Sequence, residues 1–384
     1  MSALFEPIFG MCAIAATTDD RAWLDALCEV ETALARACAR AELIDLPTAL
    51  EIGAACDEAG RGDPADLGRR AAAGGNPVIP LVAELRERVG ERAGPAAAAA
   101  VHLGATSQDI LDTAGMLIAH RALGVLLADV ADCAGACATL AGTHRDAPMS
   151  GRTLLQLAAP TTFGALAAGW GAALDRGHAR LSQLRESLPV QLGGAVGTLS
   201  GLYPRGFEVL AAFADELGLA EPPAPWHTDR AVVGELAGAL GTCAAAISKC
   251  ATDVVLLAQN EIGELREAAP GGSSAMAHKQ NPIAAVTARA AAEQSPGLVA
   301  TILAAAAPEL QRGAGPWHAE WPALSGLLRA TGGAASRLRD CLTGLRVDTD
   351  AMADNLAALS GTLDTANLGH AGDLVDRYLE RRRR

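Results

Sequence analysis

Residues 271–282 read GGSSAMAHKQNP. Adjacent glycines leave the backbone free to move and to approach a ligand. Two hydroxyls follow, Ser273 and Ser274, then the cation Lys279, the amide Asn281, and Pro282 at an expected helix start. The set suits a carboxylate substrate. Lys279 supplies positive charge, Asn281 a hydrogen bond, and a serine exchanges a proton at carbon. By composition alone the stretch reads equally as a capped connection between two helices. Residues 101–113, VHLGATSQDILDT, place Thr106, Ser107 and Gln108 ahead of an apolar run, with Asp109 in the first turn. Such residues cap a helix, and a helix N-terminus lined with hydroxyls and amides also holds anions. Residues 151–164, GRTLLQLAAPTTFG, set Thr153 and Gln156 beside a chain break. His227 in PWHT and His318 in WHAEW lie beside proline and tryptophan, and either reads as a structural hydrogen-bonder or as a catalyst.

Other chemistries lack their residues. The sequence has no HExxH, no Cys/His spacing suited to a metal, no Walker loop and no GxSxG. No metal or organic cofactor is expected. The net charge of −13 argues against nucleic acid as the main partner, because phosphate binding needs basic surface. A few placed cations still dominate a single pocket, so an anionic substrate fits. The nine cysteines form no CxxC pair and read as buried thiols of a reducing cytoplasm. No basic segment followed by an apolar one marks a secretion signal at MSALFEPIFG. The most apolar stretch, 297–308, is too short to cross a bilayer, and 122–142 carries Asp129 and Asp132. No membrane partner is expected.

The elements that must position these residues read as helices. Aromatic residues make up 3% of the chain, while the helix formers Ala and Leu abound. Val233, Leu236, Leu240, Cys243, Ile247, Cys250, Val254 and Leu257 repeat at spacings of three and four, a heptad seam. Leu123, Leu126, Val130, Cys133, Cys137 and Leu140 repeat it, and Leu166, Trp170, Ala173, Gly177, Leu181 and Leu184 suggest a third segment. Breaks fall at Gly74–Pro77, Asp146–Arg152, Pro222–Pro225 and Pro270–Ser274. The expected architecture is an all-α long-helix bundle. It divides into an N-terminal helical domain (1–105), a central bundle carrying the catalytic loop (106–350) and a short C-terminal tail (351–384). A helix of about 40 residues would span about 60 Å, so the 228–265 segment is expected to find partners in other chains. The tail ends in four arginines, read as a solvated terminus.

Together, GSSAMAHKQNP, TSQD and GRTLLQLAAPTT resemble, in order, the three active-site regions of the fumarase/aspartase superfamily. The resemblance covers roughly residues 5–360. Within it the chain is most similar to the 3-carboxy-cis,cis-muconate cycloisomerases, through GGNPVIPLV, VQLGGAVGTL, PWHTDR and AGPWHAEW. Asn76 and Leu154 stand where adenylosuccinate lyases tend to hold a catalytic histidine. The resemblance implies a homotetramer whose sites combine regions of three subunits, acting on a small polycarboxylate. It implies catalytic roles for Ser273, Lys279 and His318, with Ser273 moving the proton. It implies substrate contacts from Thr106, Ser107, Gln108, Thr153, Gln156, Asn281 and Arg312. Three residues depart from the pattern: Ala277 replaces a loop proline, Leu157 replaces a His or Gln, and Cys12 replaces an Arg. The C-terminal helical domain of the family is expected to be truncated, with Leu363, Leu368, Leu374, Val375 and Leu379 able to fold back as a covering helix. An adenylosuccinate-type or other carbon–nitrogen lyase, and a non-catalytic tetrameric homolog, stay open as alternatives.

Overall fold

The structure, a computed structural model, describes residues 4–358, 364 and 366–383. Leu363 and Arg384 of the tail lie outside the described residues. After the short α1 (Cys12–Ala15), the first group of helices is α2 (Asp20–Arg40), α3 (Leu46–Ala59), α4 (Pro64–Ala71) and α5 (Val78–Ala99). The 37-residue α6 (Ser107–Thr143) leads into a hairpin, β1 (Pro148–Thr153) and β2 (Gln156–Thr162), and then α7 (Phe163–Glu186). Next come α8 (Gly206–Leu217), α9 (Ala231–Leu257), β3 (Leu265–Arg266), α10 (Ile283–Ala292) and α11 (Ser295–Ala305). The chain continues through α12 (Pro316–Leu342), β4 (Arg346–Val347), α13 (Thr349–Ala357) and α14 (Ala371–Arg383).

Side-chain caps mark several starts. Asp19, Asp45, Thr162 and Asp348 each accept a backbone N–H from the residue three further on. Four long helices close a bundle: α6 packs on α7 and α12, and α9 packs on the same two. α10 and α11 lie against α9 and α12, and α2 joins the N-terminal helices to α6.

The heptad seam of α9 is consumed inside the protomer. All eight of its residues are buried by the chain's own helices, so the seam does not call for partner chains. Small residues make this possible: a Cβ on Gly177 of α7 would meet the Cys243 sulfur at 3.2 Å. Eight of the nine cysteines are buried, as expected, and Cys12 is exposed. Burial pushes the Cys133, Cys250 and Cys341 thiols well above their ordinary range, which leaves them protonated. The helix is also shorter than the expected 228–265. It ends at Leu257, where the chain turns back: Gly263 adopts φ +63°, and the Glu264 N–H bonds the Leu257 carbonyl at 2.9 Å. α6 and α9 are long and apolar enough to cross a bilayer by length and composition, yet here both serve as bundle core.

The hairpin was not expected. Its two-residue turn, Leu154 and Leu155, has φ +52° and +64°, a backbone that glycine and asparagine favour. Both leucines are exposed, Leu154 at 96%. The tail does fold back. Helix α14 lies on α6, α7 and β2, tied by Tyr378 to Asp175, by Arg145 to Asp376 at 2.6 Å and by Arg382 to Asp175. Arg382 is therefore paired rather than loose in solvent.

Candidate active site

The site residues divide between the two ends of the bundle. At the end where α6, α9 and α12 begin, a buried polar network joins all three. Arg230, just before α9, bonds Asp112 at 2.7 and 3.0 Å and Glu320 at 2.6 Å. The Trp317 indole N–H also donates to Asp112, at 2.9 Å. Burial opposes the Arg230 charge, but Asp112 and Glu320 outweigh it and hold the guanidinium protonated. Gln108, buried, donates to Asp112 and to the His227 carbonyl, and its oxygen accepts from Arg312 at 3.0 Å.

Asp109 organises the adjoining turn. It accepts N–H bonds from Thr106, Gly193 and Gly194 at 2.9–3.0 Å and lies 2.6 Å from His227 Nε2. Gly194 has φ +73°, and a Cβ there would strike the Gly104 carbonyl at 2.8 Å, so the turn requires glycine. The carbonyls of Gly194 and Ala195 then hold the other arm of Arg312. Thus the Asp109–His227 pair shapes the turn that aims Arg312. His318 stands apart from this network. It is exposed, its ring centroid 4.7 Å from that of Trp321 and tilted 45° to it, beside the Gly75 backbone.

At the opposite end lie the hairpin and the serine loop. Arg152 of β1 makes two bonds to the buried Glu264 carboxylate, at 2.7 and 3.0 Å, and Asn355 of α13 donates to the same group. Thr153 and Gln156, next to the turn, are exposed. The loop closes on itself where Gly271 and Asn281 exchange backbone bonds of 2.8 and 2.9 Å. The Asn281 side chain donates to the Gly272 carbonyl at 3.1 Å, so in this chain it braces the loop. Ser273 Oγ accepts the N–H groups of Ala275 and Met276 at 3.3 and 3.2 Å. Of the chain's two lysines, Lys249 pairs with Asp253, while Lys279 is exposed and has no ion pair among the described residues. The start of α10 is not an open anion site: the buried Glu267 carboxylate accepts from Ala284 and Ala285.

One chain therefore does not bring the sequence-predicted residues together. Thr106, Ser107, Gln108, Arg312 and His318 sit at one end; Ser273, Lys279, Asn281, Thr153 and Gln156 sit at the other. Ala231 and Leu257 bound the 27 residues of α9, which separates the ends by about 40 Å. Sequence reading missed Asp109, Asp112, Arg230, Glu264, Glu267 and Glu320 as organising residues. PWHTDR carried a signal, since a His and an Arg three apart before a long apolar helix are poised to reach acidic partners.

The fold and this split site define the class, and comparison with known proteins agrees. The lyase family profile matches residues 13–297. A 3-carboxy-cis,cis-muconate cycloisomerase of Bradyrhizobium diazoefficiens is 43% identical over 367 residues, which covers 94% of this chain and 81% of that one. A nitrosuccinate lyase of Streptomyces davaonensis is 43% identical over 376 residues, 94% of this chain and 78% of that one. The crystal structure of the 3-carboxy-cis,cis-muconate lactonizing enzyme from Pseudomonas putida superposes with a TM-score of 0.87 at 36% identity. It covers 99% of this chain and 87% of that chain. The chain belongs to the lyase family of the fumarase/aspartase superfamily.

Proposed function

We propose that the chain is a 3-carboxy-cis,cis-muconate cycloisomerase, interconverting that substrate and 4-carboxymuconolactone in the protocatechuate branch of the β-ketoadipate pathway. Identity of 43% across nearly the whole chain to an enzyme of that name carries the reading. It works in the cytoplasm as a homotetramer. Each site joins Arg312 and the Thr106–Gln108 turn of one copy to the serine loop and hairpin of others, because neither end is complete alone.

One substrate carboxylate oxygen bonds to a carbon of the diene. The electron pair of that double bond moves onto the carbon next to another carboxylate. Arg312 and Lys279 neutralise the growing enolate-like charge, Thr106, Ser107, Thr153 and Gln156 orient the carboxylates, and Asn281 holds the serine loop in shape. Ser273 gives its proton to that carbon and regains one from water; in reverse it removes the proton. Two backbone N–H groups on its oxygen favour the alkoxide, which a serine acting as base requires. His318 stands ready as a second proton carrier. Loss of diene absorbance on incubation with 3-carboxymuconate tests the reading, and an inert pure protein would reject it.

A second reading rests on the equal identity to the nitrosuccinate lyase. The same serine would then remove a proton beside a carboxylate while a carbon–nitrogen bond breaks. Release of nitrite from nitrosuccinate, without diene loss from carboxymuconate, would select it. Succinyl-amine substrates in the same panel test an adenylosuccinate-type lyase.

A further inference from the structure

A cavity of about 530 Å³ opens between α2, α4, α6 and α12, lined mainly by Trp23, Leu27, Leu67, Leu111, Trp321 and Pro322. Its volume falls in the range of small-molecule sites, which pair apolar walls with a few placed polar groups. Arg329 supplies the charge. Its guanidinium bonds only neutral acceptors, the Thr18 hydroxyl at 2.9 Å and the Thr18 carbonyl, and it has no acidic partner within ion-pair distance among the described residues. Arg329 shares this with Arg185 and Arg312, which also bond only neutral acceptors, whereas Arg145, Arg152, Arg230, Arg339 and Arg382 each pair with a carboxylate. The Ser325 hydroxyl accepts the Trp23 indole N–H at 3.1 Å and keeps its own proton to donate. The buried indole N–H of Trp321 has no partner. Asp20, exposed at the rim, is the acidic residue of the lining.

We propose that this cavity binds a small aromatic carboxylate, its ring between the apolar walls and its carboxylate on Arg329. Three features specify that ligand. The tryptophans offer flat apolar faces, Arg329 offers a planar fork matched to a carboxylate, and Asp20 at the rim disfavours a second negative charge on the exposed side. The lining includes neither Arg312 nor Ser273, so a ligand here need not take the contacts of the polycarboxylate substrate.

Calorimetric titration with benzoate tests it, with benzamide as the uncharged shape match and tricarballylate as a competitor for the substrate site. One benzoate is expected per chain, at least about tenfold tighter than benzamide. Arg329→Met should weaken benzoate by about tenfold or more, and Arg329→Lys by less. Since Arg329 also braces Thr18, Gly68→Phe gives an independent check. Gly68 lines the cavity, and a Cβ there meets nothing within 4 Å, so the ring fills the space without backbone strain and should abolish binding. The proposal is overturned if wild-type protein takes up no benzoate, if benzamide binds equally, if both variants bind as wild type does, or if tricarballylate displaces the benzoate. None of these readouts depends on turnover, so failure here leaves the cycloisomerase reading standing, and the reverse holds.

Discussion

The two ends of the bundle present their site residues differently. At the end where α9 begins, polar groups are buried and paired within one chain: Arg230 between Asp112 and Glu320, His227 on Asp109, Gln108 bridging to Arg312. At the far end the hairpin turn and the serine loop present exposed Leu154, Leu155 and Met276 together with Lys279, which has no ion pair among the described residues. The first end is finished when the chain folds. The second keeps its hydroxyl, cation and leucines outward, where another copy can meet them. Stability should thus depend mainly on the first end, whereas changes in the serine loop should cost activity alone.

Ser273→Ala makes the sharpest separation. Turnover should fall by about 10²–10⁴-fold, the range for loss of a positioned proton-transfer group, while the unfolding midpoint in urea stays unchanged. A variant with near-normal rate would move proton transfer to another group, with His318 first in line. Arg230→Met should do the converse at the buried end. It strands two carboxylates, Asp112 and Glu320, and is expected to lower stability by about 3–5 kcal/mol. A loss under about 1 kcal/mol would mean the network does not hold the helices together.

Leu154→Asp combined with Leu155→Asp probes assembly. Both side chains are exposed in the protomer, so helicity by circular dichroism should persist. In a tetramer each leucine would bury about 1.5–3 kcal/mol of apolar surface, so sedimentation should shift to smaller species. An unchanged tetramer would show that the turn is not part of the contact. The smallest effect concerns His102, whose Nδ1 lies 2.7 Å from Glu31 at the finished end. Burial works against its charge, but Glu31 prevails and raises the pKa. Its contribution to stability is complete below the ordinary value near 6.5 and fades as pH rises through the raised one. His102→Gln should remove that slope from the dependence of Tm on pH, by a few degrees at most.

The sequence made the helices and the three motif regions readable, because heptad spacing and the signature loop are local patterns. Cys243 and Ile247 announced a buried face correctly, but spacing could not say whose chain would bury it. The hairpin escaped because LLQLA lacks the glycine or asparagine that its turn conformation favours and its leucines read as helix. Gln108 was expected to grip substrate, whereas its amide is taken up by Asp112, His227 and Arg312. Such pairs join residues as much as 204 positions apart, and no periodicity encodes them. Asn281 was read as a free donor for the same reason, its bond to Gly272 being visible only once the loop closes.

The pinch at Gly271 and Asn281 has a consequence for protein engineering. Backbone bonds fasten the loop at its neck, and Glu267 fixes the helix just beyond it. The residues between should form a cassette whose interior can be changed with little effect on either flank. Ala277 lies inside that cassette, so its backbone freedom stays local. Loops from related lyases, grafted between positions 271 and 281, would inherit the same neck and arrive with their ends already held.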